Sequence, residues 1–294
     1  LKGIKLNIPD KTTMTPNGAL FRTDKKGFLP TMMEELYNER VTYKKKMLSA
    51  QQEFENTKDN KYKKLISRYN NIQMARKISL NSAYGAIGNQ YFRYYDKAIA
   101  EGITKSGQLS IRWIENKLNK YLNNILKTDD DYVIASDTDS VYLTLDKLVT
   151  KTIKSDNALS KTINFLDKVA SESIEPYITK SYDELKQYTN AFANKMFMKR
   201  EVIADKGIWV AKKRYILNVW DSEGVSYKEP KLKMMGIEAV KSSTPAMCRQ
   251  KIKDALELIM TSDATELNKF VINFREEFFK VNPELISFPR SVKG

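Results

Sequence analysis

Histidine is absent from the 294 residues, and cysteine occurs once, at Cys248. The first absence excludes Ser-His-Asp and Cys-His triads, histidine general bases and every His-containing zinc site. The second excludes an intrachain disulfide and a four-cysteine metal site, and it fits a reducing compartment. No apolar run approaches the roughly 18 residues of a membrane span, so no membrane partner is expected. No charged-then-apolar leader signals secretion. The chain begins with Leu1 rather than Met, as expected of a fragment.

What remains for chemistry is carboxylates, Lys, Arg, Tyr and bound hard cations. Lys and Arg number 50 against 36 Asp and Glu, a formal net charge of +14 that favours a polyanionic partner such as nucleic acid. At 41% hydrophobic and 29% charged, the composition is that of a soluble globular protein. The length suggests roughly two domains with a sizeable core.

The order of patterns predicts an α+β fold. Residues 1–30 mix strand-like pieces with turn signals at Pro9-Asp10, Pro16-Asn17-Gly18 and Lys26-Gly27. Thr31 is a candidate N-cap, with Glu34 three residues on as a capping box. A helix is expected from Thr31 to about Phe54, with Met32, Leu36, Tyr43 and Met47 at helical spacing. The polar stretch 55–60 breaks it, and a second helix follows from about Lys61 to Ala83, giving a helical hairpin. Residues 97–127 read as a long helix. Tyr132–Ala135 and Val141–Leu145 flank Ser136-Asp137-Thr138-Asp139-Ser140, a β-hairpin by alternation. Residues 160–190 are helical, 197–231 return to strands with a turn at 221–224, and 245–282 are helical.

Three clusters stand out. On an extended backbone Asp137 and Asp139 share a face and make a hard oxygen site suited to Mg2+; the same tetrapeptide also makes an Asx-stabilised turn. Lys77, Asn81 and Tyr84 stand at i, i+4 and i+7 on the second helix, and Arg40 and Lys44 at i and i+4 on the first. Antiparallel packing lets the two stripes face one site, where Arg40, Lys44 and Lys77 would grip a triphosphate; they also read as solvated helix faces. Lys212-Lys213-Arg214-Tyr215 sits at a predicted strand edge, with Lys233 and Lys241 following. That series matches a phosphate-tracking surface and also ordinary solubilising charge. An EF-hand fails because Val141 and Tyr142 stand where Asp/Asn and Gly are needed. Gly102 and Gly107 have P-loop spacing, but Gln108-Leu109 follows them.

Taken in order, the three clusters resemble family B DNA polymerases. Lys77-Ile78-Ser79-Leu80-Asn81-Ser82-Ala83-Tyr84-Gly85 is similar to the motif K-x-x-x-N-S-x-Y-G. Asp137-Thr138-Asp139-Ser140 is similar to D-T-D-S, and Lys212-Lys213-Arg214-Tyr215 to K-K-x-Y. Further likeness, at Phe92–Asp96, Leu217–Asp221 and Lys241–Pro245, is to the T-even-type bacteriophage branch.

The resemblance implies a palm with an antiparallel sheet and helices, a helical-hairpin fingers insertion and a helical start of a thumb. By position, 1–30 would be the first part of the palm and 31–88 the fingers. Residues 89–236 would be the main palm, with its metal-binding hairpin at 132–145, and 237–294 an incomplete thumb. Arg40, Lys44, Lys77, Asn81 and Tyr84 would bind the nucleotide, and Lys77 would protonate the leaving pyrophosphate. Asp137, Asp139 and Glu201 would serve two Mg2+ ions, with Asp137 and Asp139 catalytic. Gly85, Lys212, Lys213, Arg214, Tyr215, Lys233 and Lys241 would touch DNA. The implied reaction adds dNTPs to a primer 3′ end on primer-template DNA, in the cytoplasm of an infected bacterial host.

Two departures qualify this expectation. Ala135-Ser136 stands where the family has Tyr-Gly, and no D-x-x-S-L-Y-P segment, which carries the family's other metal-binding Asp, occurs in the sequence. The isolated chain is therefore expected to be inactive. It would need a second polypeptide carrying the N-terminal, exonuclease and first palm motif, and a sliding clamp is a further implied partner. The alternative expectation is a non-catalytic nucleic-acid-binding remnant. The charge follows the motifs: residues 31–77 hold 11 basic and 6 acidic residues, and 205–253 hold 11 and 5.

Overall fold

The computed structural model describes residues 5–153, 159–288 and 291. Leu1–Ile4, at the start of the 1–30 segment, and Pro289, Arg290 and Val292–Gly294, at the end of the 237–294 segment, lie outside the described residues. The fold is α+β, and the chain divides into two compact units. The first takes in residues up to 201 together with 223–225, and the second 202–222 with the C-terminal remainder.

The first unit opens with a short antiparallel pair, β1 (Thr12–Met14) and β2 (Leu20–Arg22). Two long helices follow, α1 (Phe28–Thr57) and α2 (Asn60–Ile87). α1 starts three residues ahead of the expected Thr31. Gly27 is its N-cap, Pro30 is accommodated in the first turn where no N–H is needed, and the Thr31 hydroxyl donates back to the Gly27 carbonyl. Glu34 does not close a capping box; it pairs with Lys26 and Lys195. The break between the helices is only Lys58, in the left-handed region (φ 56°), and Asp59, whose carboxylate accepts from the Lys61 N–H (2.9 Å). So short a link makes the helices antiparallel. Their seam buries Met47, Ala50 and Gln73, with Arg76 paired to Glu39 and Tyr43 against Tyr69 (6.3 Å between ring centres).

α3 (Lys97–Leu126) begins at Asp96, whose carboxylate accepts from the Ile99 N–H (3.0 Å). Ile114, Leu118, Leu122 and Leu126, four residues apart, form its buried stripe. The stripe packs against the hairpin of β3 (Val133–Asp137) and β4 (Ser140–Leu143), and against α6 (Glu175–Thr189). Ile114 and Leu118 are wholly buried, each contributing roughly 1.5–3 kcal/mol. Asn119 anchors the start of β3: its side-chain oxygen accepts from the N–H groups of Tyr132 (2.9 Å) and Val133 (3.0 Å).

Between them run α4 (Asp146–Thr152) and α5 (Leu159–Val169). A π-helical turn, Ala170–Ile174, joins α5 to α6. Pro176 lacks the N–H that an α-helix would send back to residue 172, which accounts for the widening there. β1–β2 is tied to this core through the Asn17 amide to the Ala98 carbonyl (2.9 Å) and the Thr13 hydroxyl to the Thr189 carbonyl (2.8 Å). Gly102 makes room for that loop, since a Cβ there would lie 3.3 Å from Thr15 Oγ1.

The second unit is a three-stranded sheet, β5 (Val202–Ala211), β6 (Arg214–Ser222) and β7 (Val225–Met235), with β6 central. β6 is buried from Tyr215 to Val219. Ile216 joins Ile237, Ala239 and Met260 in a core that includes Ile252 and Leu256 of α7 (Ala246–Thr261). Lys206 Nζ donates to the Met260 carbonyl (2.6 Å), fixing β5 to the end of α7. α8 (Ala264–Phe278) and α9 (Pro283–Ile286) complete the unit, with Lys251 paired to Glu277 (2.7 Å). No described helix is long and apolar enough to cross a membrane.

Candidate active site

The acidic hairpin is built by a two-residue loop. Asp137 ends β3, Ser140 begins β4, and the two are register partners. Thr138 adopts φ 54°, which an L residue with a branched Cβ rarely takes. The Asp139 N–H donates to the Asp137 carbonyl (2.6 Å), the i→i+2 pattern of a γ-turn. The strand-alternation argument for a shared face therefore does not apply, because the backbone turns between the two aspartates. Both aspartates lie on this one turn, and the Thr138 hydroxyl donates to Asp137 Oδ1 (3.0 Å). Asp139 is exposed and Asp137 half-buried.

Behind the hairpin stands a residue that composition did not single out. Tyr182 of α6 is 2% exposed, and its hydroxyl has no hydrogen-bond partner among the described residues. Burial first, and the Asp139 charge second, push that hydroxyl up to about 12. A cleft of about 240 Å3 borders Tyr182, lined also by Met14, Leu109, Lys186 and Met196. None of the sequence-predicted site residues lines it.

Carboxylate oxygens on one turn fit a hard divalent cation by donor chemistry. Among the described residues, however, no three His, Cys, Asp or Glu side chains gather as a metal-binding group. Asp137, Asp139 and Glu201 thus do not close a three-ligand cage here. Glu201 ends the extended run before β5, where its carbonyl accepts from the Glu223 N–H (2.6 Å).

The helical stripes separate by burial. Lys77, Asn81 and Tyr84 lie on the exposed side of α2, and the Tyr84 hydroxyl bonds Thr104 of α3 (2.7 Å). α2 runs on through Gly85, around whose Cα there is open space, to its cap at Gly88. Arg40 lies on the inter-helix seam, half-buried. Lys44 is ion-paired with Glu223, a turn residue of the same unit.

The second basic cluster differs from its strand-edge expectation. Lys212 and Lys213 form the turn between β5 and β6, Lys213 with φ 61°. Chain reversal there requires a turn rather than continuing strand. Gly236 (φ 65°) fits beneath it, because a Cβ at 236 would stand 2.3 Å from the Lys213 carbonyl oxygen. Glu238 pairs with both Arg214 and Lys241. Lys241 foremost holds the Glu238 carboxyl below its ordinary range. Tyr215 is buried beside Trp209 (6.3 Å between ring centres), and Lys233 is half-buried on β7.

Residues 3–175, more than half of the chain, match the model of DNA polymerase family B. The chain belongs to that family. It is 36% identical over 302 residues to the DNA-directed DNA polymerase of Escherichia phage RB69, covering 85% of this chain and 33% of that protein. It is 32% identical over 332 residues to that of Enterobacteria phage T4, covering 95% of this chain and 37% of that protein. The DNA polymerase delta catalytic subunit of Candida albicans is 26% identical over 89% of this chain. The family B chain thus spans about a third of the length of its phage relatives. Glu223, which pairs with Lys44, Glu238, which pairs with Arg214 and Lys241, and Gly236, which fits beneath the Lys212-Lys213 turn, had no signal beyond turn composition. Tyr182 was legible only as an apolar position of an amphipathic helix.

Proposed function

We propose that this chain is the catalytic portion of a DNA-directed DNA polymerase. The observation that carries the reading is the pair Asp137 and Asp139 on one turn, in a family B chain that also keeps Lys77, Asn81 and Tyr84 on one exposed helix stripe. In this reading α1 and α2 are the fingers, the β3–β4 hairpin with α3 and α6 the palm, and the C-terminal helices the start of a thumb. Primer-template DNA and a dNTP are the substrates. The primer 3′ oxygen attacks the α-phosphorus, a new P–O bond forms, and the bond to pyrophosphate breaks.

Each residue then has a role that its chemistry allows. Arg40 and Lys44 neutralise the triphosphate, Arg40 through its planar fork and Lys44 as a point charge once released from Glu223. Lys77 holds the β- and γ-phosphates and donates a proton to the leaving oxygen. Asn81 hydrogen-bonds beside them, and Tyr84 lies against the nascent base pair. Asp137 and Asp139 would hold Mg2+, which when bound supplies charge neutralisation at the phosphate oxygens. Lys212 and Lys213 track the primer duplex, with Arg214, Lys233 and Lys241 behind them and Tyr215 buttressing the turn.

Two-ion transfer needs one more carboxylate than these residues supply. We assign it to a segment outside these 294 residues, on a second polypeptide or a longer chain. The test is primer extension with Mg2+ and dNTPs. The 294-residue chain alone should bind DNA weakly and extend poorly; supplied with a segment carrying D-x-x-S-L-Y-P, it should extend. Robust extension by the chain alone refutes the incomplete site. No extension with the complement present favours a nucleic-acid-binding remnant.

A further inference from the structure

The seam between α1 and α2 holds an unmatched donor and an unmatched acceptor. Arg40 Nε and Gln73 Oε1 are both shielded from solvent, and neither has a hydrogen-bond partner among the described residues. Buried polar groups without partners are rare, because each has given up water for nothing. Among the described residues Arg40 has no ion-pair partner, although Glu39 beside it pairs with Arg76.

The helix register sets the two residues in facing intervals of the seam. Arg76 meets Glu39, and Tyr69 meets Tyr43 one turn further along. Arg40 lies between Glu39 and Tyr43 on α1, and Gln73 lies between Tyr69 and Arg76 on α2. In an antiparallel pair these intervals face each other. Gln73 is 6% exposed, so its amide points into the seam rather than to solvent. Its nitrogen end is already committed, donating from Nε2 to Asn70 Oδ1 (2.8 Å). That bond fixes the amide's orientation and leaves Oε1 as the free acceptor.

We infer that Gln73 is the positioning residue for Arg40. When a triphosphate draws the guanidinium, Nε–H donates to Gln73 Oε1. The plane of the guanidinium is then fixed, and the two terminal nitrogens face outward as a fork for phosphate oxygens. Lys77, one turn beyond Gln73 on the exposed side of α2, supplies the second cation. The inference rests on the reading of Arg40 as a triphosphate ligand.

The experiment separates the two. The full chain is titrated calorimetrically with dATP and Mg2+, and with inorganic tripolyphosphate as a base-free control. Arg40→Lys keeps the charge but removes the fork, and it tests the ligand reading. If Arg40→Lys leaves dATP affinity unchanged, or if the chain binds neither probe, that reading falls and the inference with it.

If Arg40→Lys weakens binding, the second arm decides on Gln73. Gln73→Leu should weaken dATP binding by roughly tenfold to a hundredfold, the scale of one hydrogen bond to a charged group. Gln73→Glu, which keeps an acceptor, should restore it. Gln73→Leu in the Arg40→Lys background should add nothing further. A spectroscopic readout stands beside these: the Arg40 Nε–H resonance of the 15N-labelled chain should become protected from solvent exchange on adding dATP, and stay unprotected in Gln73→Leu. Melting curves of each variant, with Gln73→Met as a second apolar replacement, identify any loss of fold. Additive effects of Arg40→Lys and Gln73→Leu, or unchanged affinity in folded Gln73→Met, overturn the assignment.

Discussion

Lys44 is ion-paired with Glu223, so a cation proposed to meet a triphosphate is held by a carboxylate. Both side chains are partly shielded, 30% and 24% exposed. Replacing Glu223 with Gln removes the competing charge while keeping the shape. Half-exposed pairs are worth on the order of 1 kcal/mol, so dATP affinity should rise by up to about fivefold. Calorimetric titration checks it; unchanged affinity means that Lys44 does not have to leave Glu223 to do its work.

The aspartate turn makes two opposed predictions. Thr138 stands at φ 54°, where glycine has no Cβ penalty. Thr138→Gly should therefore raise stability by roughly 0.5–1 kcal/mol, read from denaturant unfolding. The same change removes the hydroxyl that bonds Asp137 and loosens the backbone between the carboxylates. In the complemented assembly proposed above, turnover should fall. Asp139→Ala in that assembly should abolish extension while primer-template affinity stays close to the starting value.

Gly236 is a second place where backbone decides. Its φ is 65°, and a Cβ would stand 2.3 Å from the Lys213 carbonyl oxygen, a backbone atom that cannot swing aside. Gly236→Ala should destabilise the second unit by about 2 kcal/mol or more and displace the Lys212-Lys213 turn. Thermal unfolding followed with tryptophan fluorescence would register it, since Trp209 and Trp220 lie in that unit. An unchanged melt contradicts the close approach.

These positions also mark how far sequence reasoning reaches. The stripe Ile114, Leu118, Leu122 and Leu126 is legible because helical period and burial coincide over a long element. The β3–β4 hairpin is legible because apolar runs flank a polar tip. The start of α1 is not, because Glu34 is drawn to Lys195, 161 residues away, rather than to the helix's own first turn. The shared face of Asp137 and Asp139 was expected from strand alternation, which the turn at Thr138 interrupts. Lys44, Arg214 and Lys241 were read as phosphate-contacting or solvated cations, whereas each is paired with a carboxylate distant in sequence or across a turn. Local pattern carries elements; ion pairing across the fold needs coordinates.

Glu34 makes a pH prediction of definite sign. Lys195 first, and Lys26 second, hold its carboxyl at about 2, below the ordinary value of 4.5. A folded-state value below the unfolded one means that the contribution to stability is complete above about pH 4.5. It is lost progressively as the pH falls toward 2. Glu34→Gln should therefore lower the melting temperature at pH 7, and the gap from the unsubstituted chain should close as the pH approaches 2. A gap that widens in acid contradicts the ion pairs. Salt should narrow the gap at pH 7, since all three groups are substantially exposed.

Lys212 and Lys213 carry the prediction for DNA. Both occupy a turn between strands, where two lysines side by side can meet successive phosphates of a duplex. Each phosphate contact releases a condensed counterion, so the logarithm of the binding constant falls with the logarithm of salt. Lys212→Ala or Lys213→Ala should weaken binding to primer-template DNA at low salt and lower the salt slope by about one, whatever the sequence of the duplex. Arg214→Ala should behave differently: the Arg214 guanidinium is paired with Glu238, and its removal frees that carboxylate next to Lys241. The slope should then fall by less than one while the second unit loses stability. Fluorescence anisotropy with a labelled duplex, repeated across a salt series, measures both slopes. Equal slopes for Lys212→Ala and the unsubstituted chain would place the duplex elsewhere on the protein.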